Sequence, residues 1–387
     1  MKKILLIATY DSFLNTGLEI AKSIDNAIIE VKIRISIKNQ LSQNQLSNIF
    51  QKDTIKYSKF YLNNYKDIDF NQYDIIILSA GNSFHQSFFE FYLMNEKIDR
   101  DNIVTITLFP GVIFGEINSI ISRINSDIIL CNNQMDFNII HKIKNQWSYD
   151  TQVLLYGFPS IKKIEIINRK NIYFFEQVKI PEIYLDRMYL IIKLVELAQN
   201  NPKETIYIKS RVALDEKTIH PNKYPLETLL QEYNKTNDVP RNLLFTYEDV
   251  SYCLSNAKSV ATISSTVAFE SIYNNIPTYI ISDFGLRKEF ANYDFLDSGC
   301  LFKFNEINKI TPLINKEWYD LMILFPEERI KILNKSINFL IKKTKKKNIL
   351  CTQDDNYIDF LQKNIVKKNT LIEKIKKKLY KKLKVFI

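Results

Sequence analysis

Residues Ser264 to Gly299 read SSTVAFESIYNNIPTYIISDFGLRKEFANYDFLDSG, and they decide the fold. An apolar run from Ser259 to Ile263 leads into them. It ends in two serines and a threonine, at the start of a helical pattern through Ala268 and Ile272. Free N–H groups and the positive dipole end of a helix favour an anion, and hydroxyls beside them add donors. A second run, Thr278 to Ile281, stops at Ser282, Asp283, Phe284 and Gly285. Strand, hydroxyl turn, helix and strand again describe the ligand edge of a parallel sheet, where phosphate-bearing molecules meet the carboxyl ends of strands. An ordinary helix cap needs one Ser or Thr. Three hydroxyls in a row leave cap and anion site both open, and His220-Pro221, upstream in KSRVALDEKTIHPNKYP, weighs toward the anion.

The same grammar extends outward in both directions. Lys3 to Thr9, Ile28 to Ile35, Asp74 to Ser79, Ile103 to Leu108, Asp127 to Cys131 and Val153 to Tyr156 are short apolar, β-branched runs separated by helical patterns. Ile172 to Phe175, Thr205 to Ile208 and Leu243 to Phe245 continue the series, with helices expected over Leu185 to Gln199 and Val250 to Asn256. Buried strands alternating with helices predict an α/β chain with parallel sheets covered on both faces. The 387 residues suit two doubly wound domains. The boundaries expected are 1–160, 161–341 and a tail over 342–387.

The net charge of +10 belongs to that tail. From Lys342 onward, fifteen lysines face Asp354, Asp355, Asp359 and Glu373, which gives +11 and leaves the body at −1. A body without a basic groove argues against a nucleic-acid partner. Cys131, Cys253, Cys300 and Cys351 are far apart and lack metal-ligand spacing, so they read as buried free thiols of a reducing compartment. MKKILLIATYDSF reads as a first strand and its turn rather than a secretory leader. No apolar run approaches the length of a membrane span.

ATYDSFLNTG follows the first strand where a dinucleotide fold would place G-x-G-x-x-G, and no Walker A sequence occurs. The residues instead carry a likeness. The chain resembles the bacterial sialyltransferase-like GT-B glycosyltransferases, several of which share a His-Pro motif and a later Ser-Ser/Thr motif. Here these are His220-Pro221 and Ser264-Ser265-Thr266. It also looks like a bacterial glycosyltransferase family thought to use activated nonulosonic acids. That likeness rests on YDSF at Asp11, FPG at Pro110, FFEQVKIP around Gln177, KSR from Lys209, HPNKYP, TISSTVAFES, SDFG and DSG. It spans most of residues 1–302. The resemblance implies two facing Rossmann-like domains with a cleft between them. The first would serve the acceptor and the second a CMP-sugar donor, with inversion at the sugar and no metal or other cofactor. The Asp-Asp-Gly or Glu-Asp-Gly that supplies the base in several sialyltransferase families is absent.

Such chemistry needs cations and donors at the leaving phosphate and a base for the acceptor hydroxyl. Lys209, Arg211, His220 and the Ser264–Thr266 turn suit the phosphate. Asp11, directly after the first strand, is the expected base, with a helix-cap role equally open, and His85 in AGNSFHQSFF is the second candidate. Gln177 and Glu248, each just past a strand, are positioned for cytosine or ribose. Asp283 is positioned for donor hydroxyls or for a turn. From Asn369, NTLIEKIKKKLYKKLKVFI places Ile372, Ile375, Leu379, Leu383 and Phe386 on one stripe among lysines. That pattern expects a basic amphipathic helix on an anionic membrane, with the protein peripheral on the cytoplasmic face beside a lipid-linked glycan acceptor. The alternatives are a donor such as CMP-Kdo or a UDP-hexose, or a non-catalytic nucleotide-sugar-binding protein of polysaccharide assembly.

Overall fold

A computed structural model describes residues 1–9, 11–35, 41, 43–50, 55–61, 64–113, 116–159, 161–210, 222–323 and 325–342. The expected Arg211, His220, Pro221 and the basic tail beyond residue 342 lie outside the described residues.

Two parallel sheets carry the fold. The first holds β1 (Lys2–Ala8), β2 (Ala27–Ile35), β3 (Lys56–Tyr61), β4 (Ile75–Ser79), β5 (Val104–Leu108), β6 (Ile128–Cys131) and β7 (Gln152–Leu155), in the order β3-β2-β1-β4-β5-β6-β7. The second holds β8 (Asn171–Phe175), β9 (Ile206–Lys209), β10 (Leu243–Thr246), β11 (Ala257–Thr262), β12 (Thr278–Ile281) and β13 (Leu301–Phe302), in the order β10-β9-β8-β11-β12-β13. Each sheet reverses its winding once, at β1/β4 and at β8/β11. At these points helices diverge to opposite faces and leave a crevice at the carboxyl ends.

Burial on both faces explains why the strands read as continuous apolar runs. Ile4, Leu6 and Ala8 of β1 enter one core with Ile75 and Ile77, while Leu5 and Ile7 enter the opposite core with Ile76 and Leu78. In the second sheet Ile172 and Phe174 point one way, Tyr173 and Phe175 the other. The helix Asp11–Lys22 seats closely on the first crossover. A Cβ on Gly17 would stand 2.6 Å from Leu6 Cδ1 and 3.0 Å from Ser79 Cβ, so only glycine fits at this helix–sheet distance.

The structure corrects one expectation about organisation. The helix Arg329–Lys342, expected with the second domain, buries Leu333, Ile337 and Leu340 in the core of the first sheet. Asn334 fixes it there, accepting from the Asp25 amide at 3.0 Å and donating to the Ser23 carbonyl at 3.0 Å. The apolar stripe is satisfied by either sheet on sequence grounds, so its period alone does not say which one it meets. Among the described residues, no helix is long and apolar enough to cross a membrane.

Candidate functional site

The carboxyl end of the β8/β11 reversal is tied together by side chains. Thr262, the last residue of β11, donates its hydroxyl to the Phe175 carbonyl at 3.1 Å. Two residues on, the Ser264 amide donates to Gln177 Oε1 at 2.9 Å, and Gln177 Nε2 donates to Ser264 Oγ at 3.2 Å. Gln177 thus spends its amide on the serine turn, where the sequence placed it against a base or ribose. The three hydroxyls divide their work. Ser264 is buried against Gln177. Ser265 Oγ accepts from the Val267 amide at 3.4 Å, and Thr266 is exposed at the start of the helix Val267–Tyr273.

A polar knot missed by the sequence reading lies beside this turn. Glu176 accepts from the buried Arg187 at 3.1 Å, from Ser210 Oγ at 2.5 Å and from Asn222 Nδ2 at 3.4 Å. Arg187 also donates to the carbonyls of Gln177, Val178, Pro181 and Tyr224. Burial lowers the Arg187 pKa and the Glu176 carboxylate opposes that shift, so the guanidinium stays charged. Ser210 and Asn222 are the described residues on either side of residues 211–221, and both bond Glu176. The chain therefore leaves and re-enters at one carboxylate on this sheet edge. Lys209, the last residue of β9, is buried there and donates to the Ser210 carbonyl at 2.6 Å.

Two other expected residues are placed differently. Glu248 is exposed past β10, two strands from β8, or about 10 Å in strand spacing. Asp283 accepts from the Tyr189 hydroxyl at 2.9 Å and from the Phe304 amide at 2.9 Å, so both carboxylate oxygens serve the turn after β12.

The first sheet brings its own carboxyl edge to the same place. Phe109, Pro110 and Gly111 follow β5, and Asn132 Nδ2 holds their loop through the carbonyls of Phe109 (2.9 Å) and Gly111 (2.8 Å). A Cβ on Gly111 would stand 3.1 Å from Thr266 Cγ2, so the FPG loop and the SST turn nearly touch. Asp11 opens the helix after β1, half-buried, with Oδ1 accepting from the Ser12 amide at 2.8 Å. His85 is corrected as a candidate base. It is fully buried, its Nδ1 and Nε2 lie 3.1 and 3.2 Å from the carbonyls of Gly81 and Leu78, and neither nitrogen is open to an acceptor. Burial, reinforced by the nearby Arg123 charge, holds its pKa well below the ordinary range.

Three further carboxyls emerge only from the fold. Glu270 lies one turn beyond Thr266, without a side-chain partner among the described residues, and burial pushes its pKa up to about 7. Asp136 accepts from the Ile113 amide at 3.3 Å and Asn133 Nδ2 at 2.9 Å. Burial raises its pKa to about 7 against those bonds, and the Asp294 charge adds to the rise. Asp294 itself is raised to about 6 by burial. Glu270 stands inside the quoted stretch, where no local pattern sets it apart.

The family model described as "Putative glycosyltransferase (DUF6716)" matches residues 4–334. No curated protein sequence matches the chain. Among solved structures, the UDP-GlcNAc 2-epimerase of Neisseria meningitidis bound to UDP-GlcNAc superposes with a TM-score of 0.53 at 13% identity, covering 87% of this chain and 100% of that one. Arabidopsis thaliana UGT89C1 complexed with UDP-L-rhamnose superposes at 0.51 with 9% identity, covering 91% and 92%. Likeness at this level speaks for the fold, which is GT-B.

Proposed function

The chain belongs to this glycosyltransferase family, and we propose that it transfers sialic acid or a related nonulosonic acid from a CMP donor to a surface glycan such as lipooligosaccharide or capsule. The observation that carries the reading is the Gln177–Ser264 tie at the β8/β11 reversal, with Thr266 facing Gly111 of the other sheet. A ligand seated at that turn touches both domains.

In this reading the Ser265 and Thr266 turn, Lys209, Arg211 and His220 meet the donor phosphate, and negative charge developing on CMP is stabilised by fixed donors. His220 donates a hydrogen bond or a proton to the leaving group. Asp11 takes the acceptor proton, now without His85 as its rival. The domain over 1–160, with the helix Arg329–Lys342 packed on it, serves the acceptor, the second-sheet domain that follows residue 160 serves the donor, and the tail beyond residue 342 holds the enzyme on the anionic inner leaflet. The reaction inverts the anomeric centre, needs no metal and meets a lipid-linked acceptor.

A UDP-sugar donor is the second reading, because solved structures of the same fold are complexes with UDP-GlcNAc and UDP-L-rhamnose. A thermal-shift series with CMP, UDP and GDP separates the two. A ligand at 100 times its Kd stabilises the native state by about 2.7 kcal/mol, so CMP is expected to raise Tm above the other two at equal concentration. A larger shift with UDP assigns the UDP-sugar donor instead.

A further inference from the structure

An open groove of about 440 Å³ lies on the outer half of the first sheet, in the size range of small-ligand sites. Its floor is β2 and β3, and its roof is the connection running from residue 64 to Tyr73 before β4. The strand order puts β2 and β3 on the far side of β1 from the β1/β4 reversal, so the groove is separate from the cleft residues.

Its polar groups are arranged for hydroxyls. Glu30 is gripped from two sides: the Tyr73 hydroxyl donates to Oε2 at 2.7 Å, and Lys32 Nζ stands 3.0 Å from Oε1. A carboxylate held this way has its remaining lone pairs in fixed directions, and the side chain retains 40% exposure. Those bonds and the Lys32 charge hold its pKa below the ordinary value despite burial, so it stays ionised. Around it Ser58, Lys59, Asn64 and Asp67 line the groove without any side-chain partner among the described residues. Phe60, half-buried, supplies apolar ring surface beside them, while Tyr73 is buried beneath and reaches Glu30 through its hydroxyl. Glu30, Asp67 and Asp69 outnumber Lys32 and Lys59, so the groove carries no positive excess for a phosphate or a nucleotide.

We propose that this groove binds a neutral oligosaccharide: the fixed Glu30 carboxylate and the rim amide, hydroxyl and acid groups take sugar hydroxyls, and the half-buried ring of Phe60 takes a C–H face. An anchor for a polymeric acceptor, outside the cleft, is the use this implies, and that use alone rests on the transferase reading. Binding itself does not.

Saturation-transfer NMR on the full chain with maltohexaose, cellohexaose and N-acetylchitohexaose tests it. At least one hexasaccharide is expected to bind. Asp67→Ala and Tyr73→Phe are each expected to weaken binding about fivefold, the scale of one lost hydrogen bond. Asp67 has no partner to orphan, so its variant reads out binding without a folding defect. Excess CMP or UDP is expected to leave the signal intact. Failure of all three sugars to bind, binding indifferent to both variants, or displacement by a nucleotide each overturns the groove. None of these outcomes touches the nucleotide preference read by thermal shift.

Discussion

Gln177 and Ser264 lie 87 positions apart and exchange two hydrogen bonds across the β8/β11 reversal, at 2.9 and 3.2 Å. The pair joins the end of one strand to the turn after its neighbour. Gln177→Ala would leave the buried Ser264 amide without an acceptor, and such a group costs about 1–3 kcal/mol. The expected result is a lower Tm together with a fall in turnover of about 10²-fold or more, because the turn loses its fixed geometry at a charge-stabilising site. Chemical denaturation and initial rates check the two parts. A stable variant with ordinary turnover would mean that the serine turn holds itself.

The buried carboxyls set a pH dependence with a definite sign. Glu270 and Asp136 are raised to about 7 and Asp294 to about 6, so the folded chain binds protons that the unfolded chain releases above its ordinary carboxyl range. Stability from these groups is fully present below their unfolded pKa and is lost as pH rises through about 6 to 7. Tm is therefore expected to climb as pH falls from 8 toward 5.5, with each group contributing up to about 1.4 kcal/mol per pH unit. Glu270→Gln should flatten that climb. An unchanged slope in the variant would remove Glu270 from the account.

Asp11 and His85 make opposite predictions. Asp11→Asn keeps the helix-start geometry and removes the basicity, so turnover should fall about 10²–10⁴-fold while the nucleotide-induced Tm shift survives. His85 is sealed between two carbonyls, so His85→Gln should lower Tm and leave the folded fraction active. A folded, inactive His85 variant beside an active Asp11 variant would reverse the assignment.

Much of the fold was legible because eleven of its thirteen described strands announce themselves as apolar runs, and the two exceptions show the limit of that signal. β3, with the sequence KYSKFY, lies at an exposed sheet edge, so no apolar run marks it. β13 has only two residues. The serine turn stood out as three adjacent hydroxyls, whereas the role of Gln177 depended on β8 lying beside β11, which no local pattern encodes. His85 followed a strand as a cleft residue should, and only the packing of Arg123 and the helix Asn82–Met94 around it shows that it faces inward. Glu270 and Asp136 acquire their character from burial, and neither carries a sequence signature.

The tail makes the last prediction. Removing residues 370–387 takes away Ile372, Ile375, Leu379, Leu383 and Phe386 together with seven of the fifteen tail lysines. The truncated chain keeps Lys342, Lys343, Lys345, Lys346 and Lys347 among others, and lysines near an anionic surface contribute about 1 kcal/mol each. Turnover on a soluble acceptor should be unchanged, because the truncation removes none of the candidate site residues. Sedimentation with phosphatidylglycerol vesicles should pull down the full chain over a wide salt range. The truncated chain should bind weakly and come off as salt shortens the Debye length from about 10 Å at 0.1 M toward 3 Å at 1 M. Equal binding by both forms, or binding by neither, would refute the membrane role of the apolar stripe.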